Sequence, residues 1–225
     1  LGSYSSFIGS PAYEGKLQFD LWNIKPSTEL KWDELKSQIK RYGLRNSLLV
    51  ALMPTASTSQ ILGNNECFEP YTNNIYNRRT MAGDFRIINK HLVYDLELIK
   101  LWNDDIKDLI IYHNGSIQNI DIIPDKLKNL YKTVWEIKPK VLIDLSIDRG
   151  PFVDQTQSMN IFMEDSHFNK MTSCHIMSWK LGLKTGIYYF HTKPKSDAIK
   201  FTINENQFKR NDDDEDGCLN FSVPS

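Results

Sequence analysis

Three groups of residues in this chain could do chemistry. The first is a hydroxyl cluster, Thr55-Ala56-Ser57-Thr58-Ser59, which follows an apolar run at 48–53 and Pro54. The run fits a fully buried strand, the proline breaks its ladder, and Gly63 can close a short helix. A helix N-terminus carries unpaired N–H groups at the positive end of its dipole, and both favour an anion. Hydroxyls add donors without adding charge, which suits a phosphate that must bind and then leave. The same residues also fit a plain helix cap at Ser57 or Thr58, and the glycines and Gly-Lys-Ser/Thr ending of a Walker loop are absent. The second group is the pair Tyr188-Tyr189. Tyrosine can lose an electron and a proton together, so adjacent tyrosines could pass a radical, although aromatic pairs in strands also serve packing. The third is the cysteines, Cys67, Cys174 and Cys218. They are too few and too dispersed for a disulfide framework and fit a reducing compartment. The five histidines show no metal-ligand spacing, so no metal site is expected.

The elements that must position these groups follow from periodicity. Residues 17–22 alternate as a short strand or a buried turn. A helix is expected from near Ser27 to Tyr42, with Trp32, Leu35, Ile39 and Tyr42 on one stripe, Ser27 or Thr28 as cap and Gly43 as stop. Residues 64–79 read as a long loop in which Asn73, Asn74, Arg78 and Arg79 either contact a nucleotide or hold the loop together. Residues 85–88 suggest a strand, and 91–99 and 103–112 two helices, the second capped by Asn103. Pro124 opens a further helix, which Pro139 should kink or break. Asp144 and Asp148 share a helical face, which reads as solvated surface. A strand at 158–163, a strand or irregular extended segment at 186–191 and another at 199–203, with a helix at 168–181 carrying Cys174 and Trp179, complete an α/β pattern. From residue 209 the chain is acidic and poor in apolar residues, the composition of a disordered tail.

Composition excludes several classes. Hydrophobic residues are 40% and charged residues 24%, the balance of an ordinary globular chain. A formal net charge of −1 gives no basic footprint, so no nucleic-acid partner is expected. No apolar run reaches membrane-spanning length and no signal peptide is seen at the N-terminus, so no membrane association is expected and a cytoplasmic location is. The missing initiator methionine and the Gly/Ser-rich opening suggest a fragment.

The segment Asn46-Ser-Leu-Leu-Val-Ala-Leu-Met-Pro-Thr-Ala-Ser-Thr-Ser-Gln-Ile-Leu-Gly-Asn-Asn-Glu66 resembles the substrate phosphate-binding segment of the class I ribonucleotide reductase large subunit of eukaryotic and viral type. The resemblance continues in Glu69-Pro-Tyr-Thr-Asn-Asn-Ile-Tyr, Asn114-Gly-Ser-Ile-Gln, Leu130-Tyr-Lys-Thr-Val-Trp-Glu-Ile, Asp154-Gln-Thr-Gln-Ser-Met-Asn and Leu183-Lys-Thr-Gly-Ile-Tyr-Tyr. It runs collinearly from about Ser10 to Phe208.

This resemblance implies the C-terminal part of a ten-stranded α/β barrel over residues 1–208 and a flexible acidic tail over 209–225. It implies reduction of ribonucleoside diphosphates to deoxyribonucleoside diphosphates by radical chemistry. Thr55, Ala56, Ser57 and Thr58 would hold the substrate diphosphate, and Tyr188 and Tyr189 would relay the radical from a small subunit. A stacked pair requires a bent backbone, because consecutive residues of a regular strand point to opposite faces. The family's thiyl cysteine, its carboxylate base and one or both members of its active-site cysteine pair lie upstream of residue 1, so the chain alone should not turn over. Cys67 and Cys174 match no family functional position and read as packing. The family tail ends Cys-Leu-x-Cys. Here Cys218-Leu-Asn-Phe221 has phenylalanine in place of the second thiol, which puts its reductant role in doubt. No cofactor is expected in this chain, while the family implies ATP and dNTP effectors and a metal-radical centre in the small subunit. Implied partners are that subunit, thioredoxin or glutaredoxin, and other large subunits. A non-catalytic nucleotide- or subunit-binding protein derived from the reductase is the alternative.

Overall fold

The computed structural model describes residues 2–81 and 83–193. In chain order these form helices α1 (Gln18–Leu21), α2 (Trp32–Tyr42) and α3 (Ala56–Leu62), strands β1 (Ile75–Thr80) and β2 (Gly83–Ile88), and helices α4 (Lys90–Leu98), α5 (Asp104–Tyr112), α6 (Asp125–Leu130) and α7 (Pro139–Arg149). Strand β3 (Asn160–Met163), helix α8 (Phe168–Lys180) and strand β4 (Tyr189–Thr192) follow, and single 3-10 turns occupy Val134–Glu136 and Gly150–Phe152. The described residues fall into two units, one made of 2–72 with 132–193 and the other of 73–131.

The first unit is built on a parallel pair. β3 and β4 run in register from Asn160 opposite Tyr189 to Met163 opposite Thr192, and α8 supplies the crossover that parallel strands need. Ile161 and Phe162 are both buried, as expected of a parallel strand covered on both faces. They join Val134, Leu142, Ile143 and Met159 in one core. Pro139 does break the pattern that starts at Pro124, and it does so by opening α7 at a position where a missing N–H costs nothing.

Two expectations in this unit are corrected. Residues 17–22 are neither strand nor simple turn but the short helix α1. The Asp20 carboxylate accepts the Leu17 N–H at 2.7 Å and the Lys36 ammonium at 2.8 Å. This turns Phe19 into the interior against Trp32 and Phe152, with ring centroids 4.9 and 5.9 Å away. Helix α2 starts at Trp32, because the Ser27 hydroxyl accepts the Glu29 N–H locally at 3.3 Å and caps nothing longer. Of its stripe only Ile39 is buried, while Leu35 and Tyr42 are exposed. Gly43 ends the helix at φ +77°, as a C-terminal stop should.

The second unit corrects the loop reading of 64–79. Its last residues form β1, which pairs antiparallel with β2 from Ile75 opposite Ile88 to Thr80 opposite Gly83. Asn103 caps α5 by accepting the Ile106 N–H at 2.8 Å, and Asn89 caps α4 by accepting that of His91 at 3.1 Å. The core holds Leu92, Leu96, Ile106, Ile110, Ile117 and Ile123. Asn74 is buried and structural: its amide donates to the carbonyls of Gly115 and Tyr131 at 3.0 and 2.9 Å and its oxygen accepts from Asn89 at 3.0 Å. Gly115, at φ +85°, lets these segments close up, since a Cβ there would lie 2.9 Å from Asn73 Cβ.

The class is therefore α/β. Among the described residues the strands form two separate two-stranded sheets and no closed barrel. The strand expected at 199–203 and the tail from 209, with Cys218 and Phe221, lie outside the described residues.

Candidate active site

The apolar run 48–53 is extended but only partly paired. Leu49 and Val50 donate their N–H groups to Asp154 at 2.8 and 3.0 Å. The Val50 carbonyl accepts from Gln155, the Leu52 carbonyl accepts from Ser158, and Leu52 makes a single parallel bridge to Gln157. The expected burial is not found: Leu48, Leu49 and Met53 are 53–64% exposed. One flank of the run lies against 154–158, and among the described residues no strand pairs along the rest of it.

After Pro54 the chain turns at Thr55 in the left-handed region, φ +50° and ψ +26°, and enters α3. Neither Ser57 nor Thr58 caps this helix. Its first turn has no side-chain cap, the Thr58 hydroxyl points back to the Thr55 carbonyl at 3.4 Å, and Thr55, Ala56, Ser57 and Thr58 are all exposed. The Thr55 hydroxyl faces the other way and accepts the Cys67 N–H at 2.8 Å. Cys67 is itself left-handed at φ +55°, and its thiol donates to the Ser158 carbonyl at 3.2 Å. The sequence places Thr55 to Thr58 together at a turn, and the structure keeps them there as an open, uncapped helix start.

The tyrosine pair lies where β4 begins. The chain bends at Tyr188, which stands just outside the strand and donates its N–H to the Met159 carbonyl at 2.7 Å. Tyr189 donates its N–H to the side-chain oxygen of Asn160 at 3.1 Å. Tyr188 thus lies ahead of the ladder that Tyr189 opens, so the alternation of a regular strand does not send the two rings to opposite faces. Their centroids are 4.4 Å apart at an interplanar angle of 66°. Both side chains are about half exposed. The neighbouring Tyr189 phenol holds the Tyr188 hydroxyl above the ordinary phenol range.

Sequence reasoning did not single out Glu69 and Asn160. Glu69 accepts the Asn160 N–H at 2.8 Å and its side-chain amide at 3.3 Å. Burial pushes the Glu69 carboxyl up while the two donors hold it down. The pair is 91 residues apart, and no spacing rule reaches that far. Cys67 and Cys174 are half-buried, and burial pushes both thiols up, away from the thiolate that reacts. Among the described residues no cluster of three or more His, Cys, Asp or Glu could hold a metal, and no helix is long and apolar enough to cross a membrane.

Fold and site together define an α/β protein with an uncapped hydroxyl turn and a contacting tyrosine pair at the edges of parallel strands. The family described as ribonucleotide reductase, barrel domain, matches residues 1–189. The chain belongs to that family. It is 59% identical over 203 residues to the ribonucleoside-diphosphate reductase large subunit of Dictyostelium discoideum, covering 90% of this chain and 23% of the relative. It is 54% identical over 208 residues to that of Monkeypox virus, covering 92% and 27%. Among solved structures it resembles the class Id ribonucleotide reductase alpha subunit of Actinobacillus ureae, with a TM-score of 0.60 and 30% identity, over 69% of this chain and 28% of that one. The chain thus spans about a quarter of the length of the curated relatives it matches.

Proposed function

We propose that this chain is the C-terminal portion of the catalytic barrel of a cytoplasmic ribonucleoside-diphosphate reductase large subunit. The complete subunit reduces ribonucleoside diphosphates to deoxyribonucleoside diphosphates for DNA synthesis; residues 1–208 supply the C-terminal part of its ten-stranded barrel, and segments outside this chain complete it. The observation that carries the reading is the 4.4 Å contact between the Tyr188 and Tyr189 rings, made where the backbone bends. A flat strand would have separated them.

In this reading Tyr189 and Tyr188 pass an oxidising equivalent inward from a small subunit that holds the metal-radical centre. Each tyrosine gives up one electron and its phenolic proton and recovers both from its neighbour. Thr55, Ala56, Ser57 and Thr58 hold the substrate diphosphate through the N–H groups of the uncapped turn, with the Ser57 hydroxyl as a further donor. The diphosphate is anchored while the sugar is left for the radical to reach. ATP and dNTP effectors, self-association and a thioredoxin or glutaredoxin reductant belong to the complete subunit, and Cys218 is a remnant of the reductant tail at residues 209–225.

The test is conversion of a ribonucleoside diphosphate by the complete large subunit mixed with its small subunit and a dithiol reductant. Deoxyribonucleoside diphosphate should appear. A complete subunit that binds the diphosphate tightly and never converts it would overturn the proposal in favour of a non-catalytic nucleotide-binding relative.

A further inference from the structure

The tyrosine pair is held in place by a side-chain relay that begins on the loop leaving the phosphate turn. Tyr189 occupies the first position of β4, and its N–H is taken by the side-chain oxygen of Asn160 at 3.1 Å. Asn160 cannot rotate freely to make this contact. Its amide nitrogen is fixed by one oxygen of Glu69 at 3.3 Å, and its backbone N–H by the other at 2.8 Å. An amide held at both ends has only one orientation, oxygen toward Tyr189 and nitrogen toward Glu69. The carboxylate is in turn set by its own loop: two residues before it, the Cys67 N–H is tied to the Thr55 hydroxyl at 2.8 Å and the Cys67 thiol to the Ser158 carbonyl at 3.2 Å. Arg149 lies over the neighbouring Phe68 ring, 4.3 Å from its centroid, which holds the loop against the start of β3.

We infer that Glu69, acting through Asn160, is a positioning residue for the Tyr188–Tyr189 pair: it orients the amide that anchors the Tyr189 N–H at the first position of β4, beside the bend at Tyr188, and so sets how the two rings meet. The inference rests on the relay reading above. Neither Glu69 nor Asn160 touches a phenol, and neither exchanges an electron or proton with the pair. Their effect is on how closely and at what angle the rings meet, and so on turnover, whereas the exposed turn from Thr55 to Thr58 keeps its shape.

The chemistry of the pair gives a reciprocal test in the complete large subunit with its small subunit. Glu69→Gln sets the new amide nitrogen against that of Asn160, donor facing donor. Asn160→Asp sets two carboxylates against each other. Either change alone misorients the link. Glu69→Gln combined with Asn160→Asp restores it, because the introduced amide then donates to the introduced carboxylate, which still accepts the Tyr189 N–H. We expect each single variant to lose at least about tenfold in kcat, the loss of roughly one hydrogen bond's worth of alignment, with Kd for the diphosphate unchanged and the double variant recovered. Tyr188→Phe serves as the control for the relay itself. Wild-type kcat in both single variants beside an inactive Tyr188→Phe overturns the positioning role alone. An active Tyr188→Phe overturns the relay reading. A loss of both kcat and diphosphate binding that the double variant does not restore also overturns the positioning role, since it marks a general packing defect.

Discussion

The Thr55 hydroxyl accepts the Cys67 N–H at 2.8 Å, and both residues sit in the left-handed region, at φ +50° and +55°. A residue with a Cβ costs about 1–2 kcal/mol in that conformation. Two such residues twelve apart, joined by one hydrogen bond, make a turn whose shape depends on that bond. It fixes the entry to α3 and, at the same time, the loop that leads to Glu69.

Thr55→Val keeps the shape of the side chain and removes its acceptor. The Cys67 N–H loses its partner, so we expect about 1 kcal/mol of lost stability and about a tenfold weaker Kd for the diphosphate. Thr55→Ser keeps the acceptor and should bind within about twofold of wild type. Calorimetric titration of the diphosphate into the complete subunit checks both.

Tyr131 donates its hydroxyl to Asp95 at 2.6 Å. Burial first, then the Asp95 hydrogen bond and charge, raise its folded pKa well above the ordinary phenol value near 10. A folded pKa above the unfolded one means a contribution that is complete below the unfolded pKa and disappears as pH rises through the folded one. Tyr131→Phe should therefore destabilise by about 1–2 kcal/mol at neutral pH, and the gap from wild type should shrink only at strongly alkaline pH. Unfolding midpoints across pH 7 to 11 read this out, with the narrowing confined to the region above about pH 10.

Gly115→Ala should be among the most damaging small substitutions. It places a Cβ 2.9 Å from that of Asn73 and 3.1 Å from the Asn74 N–H nitrogen, at φ +85°. We expect a loss of about 2 kcal/mol or more, with faster amide exchange in α4 and α5 and little change around β3 and β4. Equal loosening of both units would contradict the packing described.

Cys67 and Cys174 should react slowly with alkylating reagents at neutral pH, because burial holds both thiols protonated. Their rates should climb above about pH 9 more steeply than that of an exposed peptide thiol. Mass-spectrometric labelling with pH resolves the two sites.

Local signals were legible in the sequence where neighbours in the chain decide the outcome. Asn103 as a cap, Gly43 as a stop and Pro139 as a break all act through backbone groups a few residues away, and each acts as expected. Legibility failed where partners are distant or the pattern is polar. β1 carries Asn77, Arg78 and Arg79 and reads as loop, yet it pairs across a tight hairpin. Residues 17–22 alternate like a strand, but Asp20 reaches back to the Leu17 N–H and closes a helical turn. The run at 48–53 is apolar enough for a core, and its exposure shows that composition states only what a strand could bury. At the site, Thr55 to Thr58 and the tyrosines were legible as groups, whereas the bend at Tyr188 and the Glu69–Asn160 link come from contacts some 30 to 91 residues apart.

The most direct measurement is turnover and diphosphate binding, side by side, for Tyr188→Phe in the complete large subunit with its small subunit. Phenylalanine keeps the ring and its packing but has no phenolic proton and is far harder to oxidise. A relay through this pair predicts turnover lost with diphosphate Kd within about twofold of wild type, because the turn from Thr55 to Thr58 is untouched. Full turnover by Tyr188→Phe would contradict it.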